Sequence, residues 1–237
     1  MKSAEMTDRR AFLGRVFGAA AAASLPGAAA HAAAVQESGP DDWIKELKGT
    51  HRCLFDFPQH NFGMPLLHIL NYLNTYGQAY KAAPGQVGAA GTFYGLGGRA
   101  SIPLAFNDTV WEKYSLGEYT GLKDASGKPY TRNVFNRPTK EDLHLVMQAI
   151  QSPNIPALAE AVPGLAIENL QKMGTKFLLC NNALGAWCLE LEARGKGKAA
   201  DIEKDLRANL LPGVIPVPAM VIAIEKGQEA GIRYNRQ

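Results

Sequence analysis

The sequence predicts an α/β fold in which a mostly parallel sheet is flanked by helices. Short apolar runs bounded by glycine and proline alternate with longer segments of helical periodicity, which is typical of such a sheet. A glycine-rich turn joins the second predicted strand to a helix, and the clearest strand ends on a cysteine just before another helix. The 237 residues are 46% hydrophobic and 20% charged, which favours one domain with a substantial core over wholesale disorder.

The first part of this domain is predicted as strand, helix, strand, glycine turn and helix. Residues 51–57 are a short apolar run suited to a buried strand, and Pro65 opens a helix over 66–80. A second strand over 87–94 leads directly into the glycine turn. Helical periodicity then returns over 102–114. Since parallel strands need crossover connections, this order predicts neighbouring parallel strands.

The second part begins with a polar, turn-rich insert over 117–138, predicted as a loop outside the minimal fold. Further helices are predicted over 139–150, 166–173, 184–194 and 199–211, with a strand over 176–180. Residues 214–224 are apolar and β-branched, but Pro216 and Pro218 limit the start of this segment to an edge strand or a turn. Residues 225–232 are predicted to finish the domain as a helix.

The N-terminal 32 residues have the pattern of an export signal. Arg9 and Arg10 precede Phe12 and Leu13, an alanine-rich apolar stretch follows, and Ala30-His31-Ala32 provides a small-residue cleavage site. This segment resembles a twin-arginine (Tat) signal peptide, with an ordinary amphipathic helix as the alternative. It predicts export to the periplasm by the Tat export machinery, with 33–49 as a flexible lead-in and 50–237 as the folded domain.

Charge and cysteine content exclude several classes of protein. Residues 1–32 hold four basic and two acidic side chains, which leaves a charge of +1 for the rest of the formal +3. A near-neutral domain has no broad electrostatic surface for nucleic acid. Three cysteines are too few for a disulfide scaffold, and they lack the paired spacing of a structural zinc site.

Cys180 is the residue on which a chemical function can be built. It ends a predicted strand at the edge of the sheet where α/β proteins bind ligands, and a helix follows it. A helix N-terminus favours the thiolate, which a persulfide carrier or a redox nucleophile requires. The alternative is an inert, buried cysteine. Cys188 lies about 12 Å further along the predicted helix, so core packing is predicted for it rather than a disulfide with Cys180.

Several segments resemble the DsrE/DsrF-like family, specifically its exported branch. The segments that carry this resemblance are 51–57 with the following helix, 177–184 (Phe-Leu-Leu-Cys-Asn-Asn-Ala-Leu), 211–214, 217–219 and 228–234. The resemblance implies a three-layer α/β fold, homo-oligomers, and sulfur relay on a strand-end cysteine. Only Cys180 matches that cysteine. The implied partners are a small sulfur-containing molecule or a redox partner protein.

Two weaker groups of residues lie at the same predicted edge of the sheet. Asp56 and His60 are predicted as an acid–base pair that would activate Cys180. Gly97, Gly98 and Arg99 follow a strand, where a tight strand–helix turn is the favoured interpretation and a small-anion site at the helix N-terminus is the functional one. A metal site using His60 and His68 with Cys180 is a further alternative, but the spacing matches no recognised ligand motif, so neither a metal nor a cofactor is predicted.

The sequence thus leads to two functional hypotheses. The first is a periplasmic DsrE-like protein that binds or relays a small sulfur species, or acts in thiol redox, through Cys180. The second is a non-catalytic accessory or binding subunit of an exported redox or electron-transfer complex, with the 117–138 insert as its contact surface. Whether the protein is an enzyme is left open by the sequence.

Overall fold

Five short strands form the centre of the molecule in the computed structural model, which describes residues 39–237. They are β1 (His51–Asp56), β2 (Val87–Phe93), β3 (Thr175–Cys180), β4 (Val214–Val217) and β5 (Arg233–Arg236). Their order in the sheet is β4-β3-β2-β1-β5, and each neighbouring pair is parallel. The predicted parallel α/β architecture is therefore confirmed. The predicted signal and residues 33–38 of the lead-in lie outside the described residues, while the later part of the lead-in contains a short helix over Asp42–Glu46 with Trp43 buried.

Helices connect these strands and cover both faces of the sheet. Within the described residues they are α1 (Asp42–Glu46), α2 (Met64–Gln78), α3 (Asp108–Lys113), α4 (Leu116–Thr120), α5 (Leu143–Ile150), α6 (Ile167–Lys172), α7 (Asn181–Ala193), α8 (Ala199–Ala208) and α9 (Met220–Glu229). Short 3₁₀-helices span Asn61–Gly63, Ile102–Ala105, Lys140–Asp142 and Pro156–Leu165. No helix of this part of the chain combines the length and the apolarity needed to cross a bilayer.

The side chains of the strands alternate between two cores, as the pleat of a strand requires. The larger core contains Phe55, Phe93 and Phe177 and is closed by helices that include α2, α7 and α8. The smaller core contains Leu54 and Leu178 and is closed by α1 and α9. Residues 40–237 form one compact unit around the sheet. This arrangement is the three-layer architecture that the resemblance implied.

The prediction of one continuous helix over 102–114 is wrong, because two separate helices occupy this segment. The 3₁₀-helix ends at Ala105, Phe106 is extended (φ −118°, ψ 153°), and α3 starts afresh at Asp108. Asn107 causes the restart, because its side-chain oxygen accepts from the Thr109 N–H at 3.1 Å and caps the new helix. A side chain that can satisfy a free helical N–H competes with continuation of the earlier helix.

The C-terminal prediction also needs correction. Helix α9 starts at Met220 and ends at Glu229, earlier at both ends than the predicted helix over 225–232, and residues 233–236, for which no element was predicted, form β5. Gly231 adopts a left-handed conformation (φ 79°), which turns the chain into the strand. The expectation for the two prolines is confirmed, since β4 contains Pro216 and lies at one edge of the sheet.

The insert predicted over 117–138 contributes to the larger core. Its first four residues belong to α4, and the turn-rich remainder buries Leu122, Val134 and Phe135. Asn133 is 1% exposed, and its side-chain amide donates to the carbonyl oxygens of Leu104 and Phe106 at 2.9 and 2.8 Å. The insert is therefore fixed to the body of the domain by both apolar burial and hydrogen bonds.

Candidate functional site

The carboxyl ends of β1 and β3 bring Asp56 and Cys180 to the same edge and the same face of the sheet. Cys180 belongs to the smaller core. Asp56 follows Phe55 of the larger core, so the alternation along β1 places it on the opposite face, the one that Cys180 occupies. In open α/β sheets this edge is where ligands bind. The site therefore combines a thiol and a carboxyl group on one side of the sheet.

Two helix N-termini meet at the sulfur of Cys180. Its Sγ accepts a hydrogen bond from the Ala183 N–H in the first turn of α7 at 3.4 Å, and another from the Met220 N–H at the start of α9 at 3.3 Å. Cys180 is also the N-cap residue of α7, and it is 5% exposed. Because free N–H groups carry partial positive charge, both helices stabilise negative charge on this sulfur.

Asp56 is a buried carboxylate that three hydroxyl groups hold in place. Tyr94 and Tyr234 each donate their phenol O–H to it at 2.8 Å, and Thr92 donates at 3.4 Å. Burial, and then the hydrogen bond to Asp56, raise the pKa of Tyr94 above its ordinary value. The same two causes raise the pKa of Tyr234. Both phenols therefore remain hydrogen-bond donors to the carboxylate throughout the neutral range.

Asp56 and Cys180 are separated by the width of β2. Strands spaced by about 4.8 Å place β1 and β3 roughly 10 Å apart, so the two side chains are not in direct contact. Tyr94 lies between them, because it follows Phe93, the partner of Leu179 in the register of β2 and β3. The ring of Tyr94 packs against the smaller core that contains Cys180, while its hydroxyl reaches Asp56.

His60 lies at the predicted edge of the sheet but has different partners from those expected. Its Nδ1 accepts from the Phe62 N–H at 3.2 Å, and its Nε2 bonds to the Thr120 carbonyl oxygen at 3.3 Å. Burial lowers the pKa of His60 to about 4, against an opposing effect of carbonyl oxygens that accept from the ring. The hydrogen bonds of His60 and Asp56 do not connect the two residues, and the ring ties the loop after β1 to the insert.

The glycine turn has an anion partner that belongs to the protein itself. The Gly97 N–H donates at 3.3 Å to Oε2 of Glu190, a side chain of α7. The hydroxyl of Tyr119 donates to the same oxygen at 2.9 Å. The Glu190 carboxylate therefore occupies the position at the glycine turn where the sequence predicted a bound anion. Gly98 is needed for close packing, since a Cβ there would lie 2.8 Å from the Tyr119 carbonyl oxygen.

Arg99 contributes to this turn through its backbone, because its carbonyl oxygen accepts from the His60 N–H at 2.9 Å. The structure therefore joins the glycine turn to His60, in a region separate from the hydrogen bonds of Cys180 and Asp56. The sequence suggested both the glycine turn and the pair of Asp56 and His60. It could not indicate which of these residues lie in contact, since that depends on the side of the sheet on which each loop lies.

The other two cysteines lie in the larger core and differ from Cys180. All three cysteines of the chain are free thiols. Burial raises the pKa of Cys53 to about 11 and that of Cys188 to about 12, so both are neutral at physiological pH. Core packing of Cys188 is confirmed at 1% exposure. These two thiols provide internal controls for the reactivity of Cys180.

The alternative metal site receives no support from the described part of the chain. Within residues 39–237, no group of three or more His, Cys, Asp or Glu side chains is placed to hold a metal ion. His68 is exposed on α2, where its ring bonds to the Gln237 side chain. Helix α2 packs on the larger core, on the face of the sheet opposite to the one that Cys180 occupies.

Tyr94 and Tyr234 are the site residues that sequence reasoning missed. Tyr94 was predicted only as the last residue of the strand over 87–94, and Tyr234 only as part of the segment 228–234 that carries the resemblance. The available signal for Tyr94 was its position, since it directly follows a buried strand at the edge where Cys180 lies. Tyr234 could not be found in this way, because no strand was predicted over 233–236.

The fold and the residues at the carboxyl edge of the sheet define the class: an all-parallel, three-layer α/β protein with a cysteine at the carboxyl end of a central strand. No family model, curated protein or solved structure matches the chain. The structural class of the protein therefore rests on the geometry of the chain itself.

Proposed function

We propose that this protein is an exported, DsrE-like protein of the periplasm that binds or relays a small sulfur species, or acts in thiol redox, through Cys180. The observation that carries the proposal is the pair of backbone N–H groups, from the N-termini of α7 and α9, that donate to its Sγ. The position of the cysteine after β3 supports it as well, because parallel α/β sheets place their reactive groups at that edge.

The two helices give the sulfur the electrostatics that sulfur transfer needs. Helix α7 has 13 residues and α9 has 10, so each has a developed dipole whose positive end faces Cys180. Persulfide and thiolate are both anions, so both would be stabilised at this position. Cys53 and Cys188 have no such environment, and burial disfavours their ionised forms.

The proposed chemistry is transfer of sulfane sulfur without net oxidation. The Cys180 thiolate attacks a terminal sulfane sulfur of a polysulfide, a new S–S bond forms on the cysteine, and the old S–S bond breaks. The polysulfide, shorter by one sulfur, leaves as the anion and carries the electron pair. The persulfide anion on Cys180 then passes its outer sulfur to an acceptor thiolate by the reverse sequence.

Peptide-resolved mass spectrometry of the native protein tests this proposal. After exposure to polysulfide, added sulfur is expected on the Cys180 peptide and not on the Cys53 or Cys188 peptides. Cys180→Ser should abolish the added mass, whereas Cys188→Ala should leave it unchanged. Modification of Cys180 only after the protein has been unfolded would overturn the proposal, since an inaccessible thiol cannot relay sulfur.

A second candidate is a non-catalytic accessory subunit of an exported redox complex. It is favoured by the low exposure of Cys180 and by two exposed apolar side chains on α9, Val221 (71%) and Ile222 (49%). The same surface would serve the proposed homo-oligomer. Sedimentation velocity of the wild type and of a Val221→Ser/Ile222→Ser variant tests self-association there, and an unchanged oligomeric state would exclude this surface as the contact.

A further inference from the structure

A row of tyrosines at the C-terminal end of α2 has no role in the Cys180 site. Tyr72 and Tyr76 are four residues apart on α2 and share one side of the helix, and Tyr80 follows two residues after its end at Gln78. Their ring centroids are 5.0 and 5.3 Å apart, and His51 stacks on Tyr76 at 4.6 Å. Tyr80 is 72% exposed, which is high for so large an aromatic side chain.

These rings form one wall of a groove between α2 and the edge strand β5. The groove has a volume of about 480 Å³, which is within the usual range for small-molecule sites. Besides the phenols, its polar groups come from His68, Asn71 and Thr75 on α2 and from Asn235 and Gln237 on the opposite wall. Among the described residues that line it, none is an Asp, Glu, Lys or Arg.

The hydrogen-bonding capacity of the groove is only partly used. Asn71 accepts from Thr75, and the Gln237 side chain is already engaged, since its NH₂ group donates to Asn235 and its oxygen pairs with the His68 ring. Within residues 39–237, the hydroxyl groups of the three tyrosines make no hydrogen bond to the protein. The groove thus offers aromatic rings together with neutral donors and acceptors that remain free for a ligand.

We propose that this groove binds a neutral oligosaccharide. A sugar ring has an apolar C–H face, which packs on aromatic side chains, and a rim of hydroxyl groups, which pair with amides and phenols. An anionic or cationic ligand would bring a charge into a groove whose lining has no Asp, Glu, Lys or Arg side chain and whose imidazole, His68, already pairs with Gln237, so its burial would be unfavourable. A purely apolar ligand would leave the amides and phenols without partners.

Isothermal titration calorimetry with cellohexaose and with maltohexaose tests the proposal on the full protein. At least one hexasaccharide should bind the wild type and shift tyrosine resonances in its NMR spectrum. Tyr80→Ala should weaken that binding by up to about tenfold, the effect of losing one aromatic contact. Leu158→Ala is the control, because Leu158 is also an exposed apolar side chain (41%) and lies outside the groove.

Three results would overturn this inference. They are the absence of binding heat and of tyrosine shifts with both sugars, equal affinity in Tyr80→Ala and the wild type, and a change of oligomeric state in Tyr80→Ala, which would make the groove a contact between copies of the chain. The inference is independent of sulfur chemistry. Cys180→Ser should therefore bind the hexasaccharide as the wild type does.

Discussion

At the scale of single residues, Asp56 is held entirely by hydroxyl donors. Replacement by asparagine puts an NH₂ group against at least one of the donating hydroxyls of Tyr94, Thr92 and Tyr234, so that a hydrogen bond at this buried position is lost. Asp56→Asn should therefore lower the free energy of unfolding by about 2 kcal/mol in urea titrations.

Tyr234→Phe is the control for this prediction. It removes one donor and leaves Asp56 with the other two, so its loss of stability should be the smaller of the two, about 1 kcal/mol. Equal losses in the two variants would show that the carboxylate network contributes less than the contact of Tyr234 with the sheet.

His60 makes a predictable contribution to the pH dependence of stability. Its pKa is lowered from 6.5 to about 4 by burial, so the unfolded chain takes up a proton at this residue before the folded chain does. Above pH 6.5 the contribution of His60 to stability is fully present. It is lost progressively as the pH falls from 6.5 to about 4, by up to about 3 kcal/mol.

Urea unfolding at several pH values checks this expectation. His60→Gln should unfold with a flatter pH dependence between pH 6.5 and 4 than the wild type does. An unchanged slope in His60→Gln would mean that other groups cause the acid sensitivity.

The site could be predicted from the sequence only in part, and the reason lies in these same residues. Cys180 and Asp56 could be placed at the carboxyl edge of the sheet, because the end of an apolar run marks the end of a buried strand. Their partners could not, since Tyr234 and Met220 arrive from distant positions in the chain. The face of the sheet on which the loop of His60 lies is decided by contacts with Thr120, which no local pattern encodes.

At the scale of elements, two helical glycines differ sharply in what surrounds them. A Cβ on Gly185 in α7 meets nothing within 4 Å, whereas a Cβ on Gly117 in α4 would lie 2.0 Å from the Tyr130 carbonyl oxygen. Gly185→Ala should therefore stabilise the protein by about 0.5–1 kcal/mol through helix propensity. Gly117→Ala should destabilise it by roughly 1–3 kcal/mol through overpacking.

Thermal unfolding followed by circular dichroism measures both effects. The melting temperature should rise for Gly185→Ala and fall for Gly117→Ala. A neutral result for Gly117→Ala would mean that α4 can move away from the insert at little cost, contrary to the close backbone contact described above.

Most helices and strands could be predicted because their periodicity is strong, and the failures are instructive. The break after Ala105 depends on one capping side chain, Asn107, within an otherwise helical pattern. Strand β5 has four exposed residues, so it lacks the apolar run that identifies a buried strand. It exists because β1 offers an unpaired edge, and such tertiary pairing overrides local preference.

At the scale of the whole molecule, the two cores share one sheet and should unfold together. Trp43 reports on the smaller core, while Trp111 and Trp187 report on the larger one. In a Trp111→Phe/Trp187→Phe variant, the fluorescence midpoint of Trp43 should coincide with the circular dichroism midpoint of the same variant. An earlier fluorescence midpoint would show that α1 and α9 separate from the sheet before it unfolds.

The pairing of β1 with β5 has a consequence for the order of events during protein synthesis. Tyr234 and its acceptor Asp56 are 178 positions apart, and the Arg52 guanidinium donates to the Ala230 carbonyl oxygen at 2.7 Å. One side of β1 therefore has no partner until the ribosome has translated residues 233–236. During that interval the nascent chain exposes a bare strand edge, the kind of surface on which chains aggregate and which holdase chaperones protect.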